Sequence, residues 1–161
     1  MVLIGMSRGA IACNYIGLHD NEIANLWRAM IPNSHYDGRT DWRWNMSSED
    51  ATIGAVERLR RLGDTPQFIC GEYHLRINHT DENDFKAVRD GGYTDMAIAI
   101  RELDLVPMSE KEGIRKFVQT NYPQGNFTFV DLPFVNHTND WLFMDIPERK
   151  MVRDWLLEVL E

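Results

Sequence analysis

Cysteine is scarce here: Cys13 and Cys70 are the only two in 161 residues. Two cysteines make neither a disulfide framework nor a metal-ligand spacing. One falls on a predicted helix and the other at the end of a predicted strand, so both read as small, buried apolar residues. No apolar run approaches the ~18–20 residues of a membrane-spanning helix. Basic charge is also short, with 17 Lys and Arg against 25 Asp and Glu for a net charge of −8. The basic residues form no stripe, which argues against a nucleic-acid partner. Neither G-x-G-x-x-G nor G-x-x-x-x-G-K-[ST] occurs. The apolar start lacks a basic n-region and runs at once into a glycine turn, so no signal peptide is expected. Four Asn-x-Ser/Thr sequons, at Asn45, Asn78, Asn126 and Asn136, matter only in a secreted protein and leave the compartment open.

What is present suits one globular domain with a real core. Val2-Leu3-Ile4 is a short apolar run ended by glycine, the pattern of a strand buried on both faces. Ala10 to Leu18 reads as a helix, and the second half of Ala24 to Ile31 as a strand ended by Pro32-Asn33-Ser34. Asp37-Gly38 and the Trp-containing stretch Asp41 to Asn45 read as loop. Ser48 is a plausible N-cap for a helix whose Ile53, Val56, Leu59 and Leu62 recur every three residues until Gly63. Pro66 to Gly71 is a second glycine-ended strand. Helices are expected over Asp81 to Arg89, Met96 to Leu103 and Glu110 to Thr120, with a break near Pro107. Phe127 to Leu132 alternates as a strand. Pro147 to Leu160 is an amphipathic helix with Met151, Val152, Trp155, Leu156 and Val159 inward. This alternation predicts an α/β domain with a mostly parallel sheet of about four strands and helices on both faces.

The opening stretch Gly5-Met6-Ser7-Arg8-Gly9 is the most informative. A serine between two glycines, after a buried strand and before a helix, marks a turn sharp enough to force strained serine angles. The flanking glycines relieve the crowding, the hydroxyl projects above the sheet, and the helix N-terminus favours developing negative charge. At ~7% Gly and Ser, the pattern arises by chance in about one chain of this length in twenty. The structural alternative is a glycine turn that binds the phosphate of a nucleotide.

With that turn, "VLIGMSRGAIA" resembles the nucleophile strand, elbow and following helix of the α/β-hydrolase superfamily, its esterases and serine peptidases in particular. "TPQFICGEYHLRINHTDENDFKAVRDGG" resembles the strand, acid loop and helix that follow in those families. "NFTFVDLPFVNHTND" is similar to their last strand and histidine loop, and "ERKMVRDWLLEVLE" to their terminal helix. The resemblance implies a partial α/β-hydrolase fold that begins at the nucleophile strand. It implies Ser7 as nucleophile, His137 as general base and the backbone N–H of Arg8 as one half of an oxyanion hole. Where the family keeps its acid, this chain has His74, which cannot serve His137 as a carboxylate would. Asp81, farther along the same loop, is taken as the acid, with Asp37, after the preceding strand, and Glu72, two residues before the family position, as alternatives.

The implied activity is that of a serine hydrolase cleaving an ester or amide of a small molecule through an acyl-enzyme, without metal or organic cofactor. The family places several strands before this point. The edge at Val2 to Met6 is therefore expected to need cover, from a second chain, a dimer partner or more of a longer enzyme. A hydrolase-like binding or assembly module with impaired catalysis is the alternative function.

Overall fold

The computed structural model describes residues 1–40, 48–75, 104–135 and 137–161. The helices expected over Asp81 to Arg89 and Met96 to Leu103, and the loop from Asp41 to Asn45, lie outside them. The chain begins with strand β1 (Val2–Met6), helix α1 (Arg8–Tyr15), the single turn α2 (Asn21–Ala24) and strand β2 (Ala29–Asn33). Helix α3 (Glu49–Arg60) follows, then strands β3 (Gln67–Gly71) and β4 (Tyr73–Leu75). After β5 (Leu105–Pro107) come the short helix α4 (Met108–Lys111) and α5 (Ile114–Asn121). Strand β6 (Phe127–Asp131), a 3-10 turn (Asp140–Phe143) and helix α6 (Pro147–Leu160) complete the order.

Four strands form one sheet in the order β1-β2-β3-β6, every neighbouring pair parallel. A parallel strand must be covered on both faces, and the alternation of side chains does this here. Leu3, Met30, Ile69, Phe127 and Phe129 face one cluster, closed by Cys13 of α1, Ala55 and Leu59 of α3, and Phe117 and Val118 of α5. Val2, Ala29, Ile31, Phe68, Cys70 and Val130 face the other, closed by Trp141 and by Val152 and Trp155 of α6. The predicted α/β class, with about four parallel strands and helices on both faces, is therefore the observed one. Strands β4 and β5 add a separate antiparallel pair.

Pro32 sits inside β2, a central strand, where proline is unusual. The N–H groups of Met30 and Ser34 both point to the β3 side, bonding Pro66 O and Cys70 O, so the donor that Pro32 lacks also faces β3. Accordingly, the β2–β3 register is kept at Met30↔Gln67 and Asn33↔Cys70, on either side of the gap. One polar chain crosses the core. The Tyr36 hydroxyl donates to Gln67 Oε1 at 2.6 Å, and Gln67 Nε2 donates to Asn14 Oδ1 at 2.7 Å. Its members satisfy one another, which is the condition for burying such groups.

Three details differ from expectation. Ile53 is 55% exposed, while α3 buries Ala55 and Leu59. A strict three-residue interval slips by about 60° per step around a helix of 3.6 residues per turn, so Ile53 and Leu62 fall on opposite sides. Met151 is exposed because it lies about 90° from the centre of the Val152–Trp155–Leu156–Val159 stripe. The helix expected over Glu110 to Thr120 is two helices, separated at Gly113, whose φ of 65° is left-handed.

Candidate active site

The carboxyl ends of a parallel sheet gather the loops that carry chemistry, and four segments meet there. The first is the turn after β1. Ser7 has φ 58° and ψ −122°, a combination that L-residues rarely adopt. Two features impose it. Strand β1 must hand over directly to α1, and the Ser7 N–H is held by Asn33 O of the neighbouring strand at 3.0 Å. The flanking glycines prove unequal. A Cβ on Gly5 would lie 2.1 Å from Gly9 O, so only glycine fits there. A Cβ on Gly9 would meet nothing within 4 Å among the described residues, which corrects the symmetrical role read from the sequence. The Ser7 side chain does not cap α1, and so its hydroxyl is not used up by the helix it precedes.

The second and third segments follow β2 and β3. Glu72 lies in the break between β3 and β4, its backbone C=O accepting from Met108 N–H at 3.0 Å. It is 2% exposed. The fourth segment is the loop after β6, which folds back over the sheet and carries His137. His137 Nδ1 and Glu72 Oε1 are 2.5 Å apart. His74 Nε2 is 3.1 Å from the same Oε1, and the Ser34 hydroxyl donates to Oε2 at 2.5 Å. Burial by itself would raise the Glu72 carboxyl. The hydrogen bonds with His137, His74 and Ser34 together outweigh it and hold the group well below the ordinary carboxylate range. In return, the hydrogen bond to Glu72 raises the His137 imidazole above its ordinary value, against the opposing effect of partial burial.

Of the three carboxylates considered from sequence, Glu72 is therefore the one at the imidazole. Asp37 is engaged elsewhere, accepting two bonds from the Arg58 guanidinium, at 2.7 Å from Nε and 3.0 Å from Nη2. Burial pushes its carboxyl up even so, with Arg58 pulling the other way. Asp81 lies outside the described residues. His74, at the position where the resemblance expects an acid, sits on the Glu72 carboxylate instead.

Ser7 and His137 stand at the same end of the sheet. The connection runs through Asn33: its C=O holds the Ser7 N–H, and its Nδ2 donates to Asn139 Oδ1 at 3.3 Å, two residues beyond His137. No hydrogen bond joins Ser7 Oγ to His137 among the described residues, and His137 Nε2 has no partner there. Arg8 opens α1, so its N–H lies at the positive end of that helix.

Sequence reasoning missed two further groups. Ser34 follows β2 with φ 84°. His35 Nδ1 lies 2.6 Å from Glu112 Oε1, which also accepts from the Thr40 hydroxyl at 2.6 Å. The His35 and His137 rings are 5.6 Å apart. The "NSH" run just past a buried strand was the available signal.

No family model, curated protein or solved structure matches this chain. Among the described residues, no helix is long and apolar enough to cross a membrane, and no group of three or more His, Cys, Asp or Glu is placed to hold a metal ion.

Proposed function

We propose that the chain is a serine hydrolase of the α/β-hydrolase type, acting on a small ester or amide through an acyl-enzyme. The observation that carries the reading is the His137–Glu72 pair at 2.5 Å, standing at the same sheet end as a serine in a strained strand-to-helix turn. A buried carboxylate on Nδ1 fixes the imidazole tautomer and leaves Nε2 to take the Ser7 proton. Ser7 Oγ then attacks the carbonyl carbon. The N–H of Arg8 and the positive end of α1 oppose the charge that builds on the carbonyl oxygen. His137 passes its proton to the leaving alcohol or amine, and a water deprotonated by His137 releases the acid from Ser7. The absence of a Ser7–His137 hydrogen bond fits a resting site, since such bonds often tighten only around substrate.

A fluorophosphonate probe tests this directly. Ser7 should be labelled in the folded protein, Ser7→Ala should abolish labelling, and His137→Ala should slow it at least 100-fold. Intact, folded protein that resists the probe would remove the hydrolase reading.

The second reading, a hydrolase-like binding or assembly module, draws on the sheet edge. Strand β1 pairs only with β2 among the described residues, and Ile4 on it is 52% exposed. Turnover of p-nitrophenyl esters at ordinary enzyme rates would exclude it. The nucleotide-binding alternative loses support, because the Ser7 N–H that would face a phosphate is already held by Asn33 O.

A further inference from the structure

The left-handed residue after β2 has no role in the chemistry above, yet it touches the acid. Three non-glycine residues among those described have positive φ: Ser7, Ser34 and Asp104. Ser34 is 1% exposed, so neither solvent exposure nor a surface turn accounts for its conformation. Its φ of 84° is one that a side chain disfavours and that glycine would adopt freely. The surroundings enforce it. The Ser34 N–H bonds to Cys70 O at 2.8 Å, which binds the end of β2 to the end of β3. Gly71, the last residue of β3, makes room: a Cβ there would lie 3.3 Å from Ser34 Cα and 3.0 Å from Met108 Cβ.

A hydroxyl has a single proton to give. Ser34 Oγ is 2.5 Å from Glu72 Oε2 and 3.3 Å from Asn33 Oδ1, so the proton goes to Glu72. The two carboxylate oxygens are thereby divided. Oε2 takes Ser34, and Oε1 is left for the histidines, at 2.5 Å from His137 and 3.1 Å from His74. A carboxylate free to turn about its last bond would offer either oxygen. Pinning Oε2 removes that freedom from a carboxylate that is itself buried.

We propose that Ser34 is a positioning residue, whose hydroxyl and left-handed backbone fix the Glu72 carboxylate so that Oε1 alone faces His137 Nδ1. Ser34 is too deeply buried to touch a substrate and acts only through Glu72. This inference rests on the hydrolase reading for its catalytic meaning but has a readout of its own.

The test uses Ser34→Ala and Ser34→Gly in the full chain. Alanine keeps the backbone strain and removes the hydroxyl; glycine removes both, and guards against a result caused by misfolding of the alanine form. The readout is the low-field proton signal of His137 Nδ1–H by NMR, assigned by its loss in His137→Gln, together with the pH titration of the same ring. In both variants the signal should move upfield and broaden through exchange with solvent. The ring's titration midpoint should fall towards that of an ordinary imidazole. With a substrate ester, kcat should drop at least tenfold while KM stays within twofold.

An unchanged proton signal and midpoint in either folded variant would overturn the proposal, as would a wild-type protein with no such signal. A midpoint that rises while the signal persists would also overturn it, because Ser34 would then set only the basicity of Glu72. Failure of fluorophosphonate labelling with the NMR changes intact would remove the hydrolase reading and leave the positioning of Glu72 standing.

Discussion

Glu72 shows how three modest contacts decide one group's chemistry. Burial opposes its charge, and each of Ser34, His74 and His137 favours it. The sum leaves a carboxylate ionised throughout the range in which His137 titrates, so the imidazole always has its partner. The consequence is a pH profile. On the proposed mechanism His137 acts as base only when neutral, and its affinity for protons is raised, so kcat/KM should rise along an acid limb centred above pH 6.5, the ordinary histidine value. In Glu72→Gln the amide keeps the shape and loses the charge. That limb should move back to 6.5 or below, with kcat reduced roughly 10²–10⁴-fold. Steady-state kinetics from pH 5 to 9 on a p-nitrophenyl ester read both effects, and an unshifted limb would mean that Glu72 does not act through His137.

At the scale of elements, the handover from β1 to α1 is tightly constrained. Gly5 and Gly9 look alike in the sequence and differ in the fold. A methyl on Gly5 would drive into the carbonyl of Gly9, which is backbone and cannot step aside. Gly9 lies in α1, where alanine is the better helix former and open space awaits its methyl among the described residues. Gly5→Ala should therefore cost at least ~2–3 kcal/mol and disturb the Ser7 angles. Gly9→Ala should be neutral or stabilising by up to ~1 kcal/mol. Urea midpoints of the two variants check the contrast; equal losses would mean that the turn does not have this asymmetry.

For the molecule as a whole, the Glu72–His137 pair links stability to pH in two directions. The folded pKa of Glu72 is lowered from 4.5, so its contribution is present above pH 4.5 and is lost as pH falls through the lowered value. The folded pKa of His137 is raised from 6.5, so its contribution is full below pH 6.5 and is lost as pH climbs through the raised value. Both are complete only between those two ordinary values. The difference in urea-unfolding free energy between wild type and Glu72→Gln should accordingly be greatest between pH 4.5 and 6.5 and shrink on either side. A difference that stays flat from pH 3 to 9 would contradict the coupling.

Much of the architecture was legible because it is written in short range. Glycine-ended apolar triplets, a capping serine at Ser48 that accepts from Ala51 N–H, and the stripe of Val152, Trp155, Leu156 and Val159 are each local signals with one physical solution. The Pro32 strand and the Asn14–Gln67–Tyr36 chain were less legible. In each, contacts with distant residues override local preference.

The sequence by itself determined an α/β chain of parallel strands, a serine at a strand-to-helix turn and a histidine past the last strand, since periodicity and turn chemistry act between near neighbours. It did not determine which carboxylate meets that histidine: loop position favoured Asp81, with Asp37 and Glu72 as alternatives, and Glu72 is the one at the imidazole. Only the tertiary structure decided, because His137 reaches Glu72 across 65 residues through the register of β3 against β6 and the return of the loop that follows. The same folding gave Asp37 to Arg58 and brought Ser34 to the far oxygen of Glu72. Sheet register and loop closure set such distances, and neither is encoded in any one stretch of the chain.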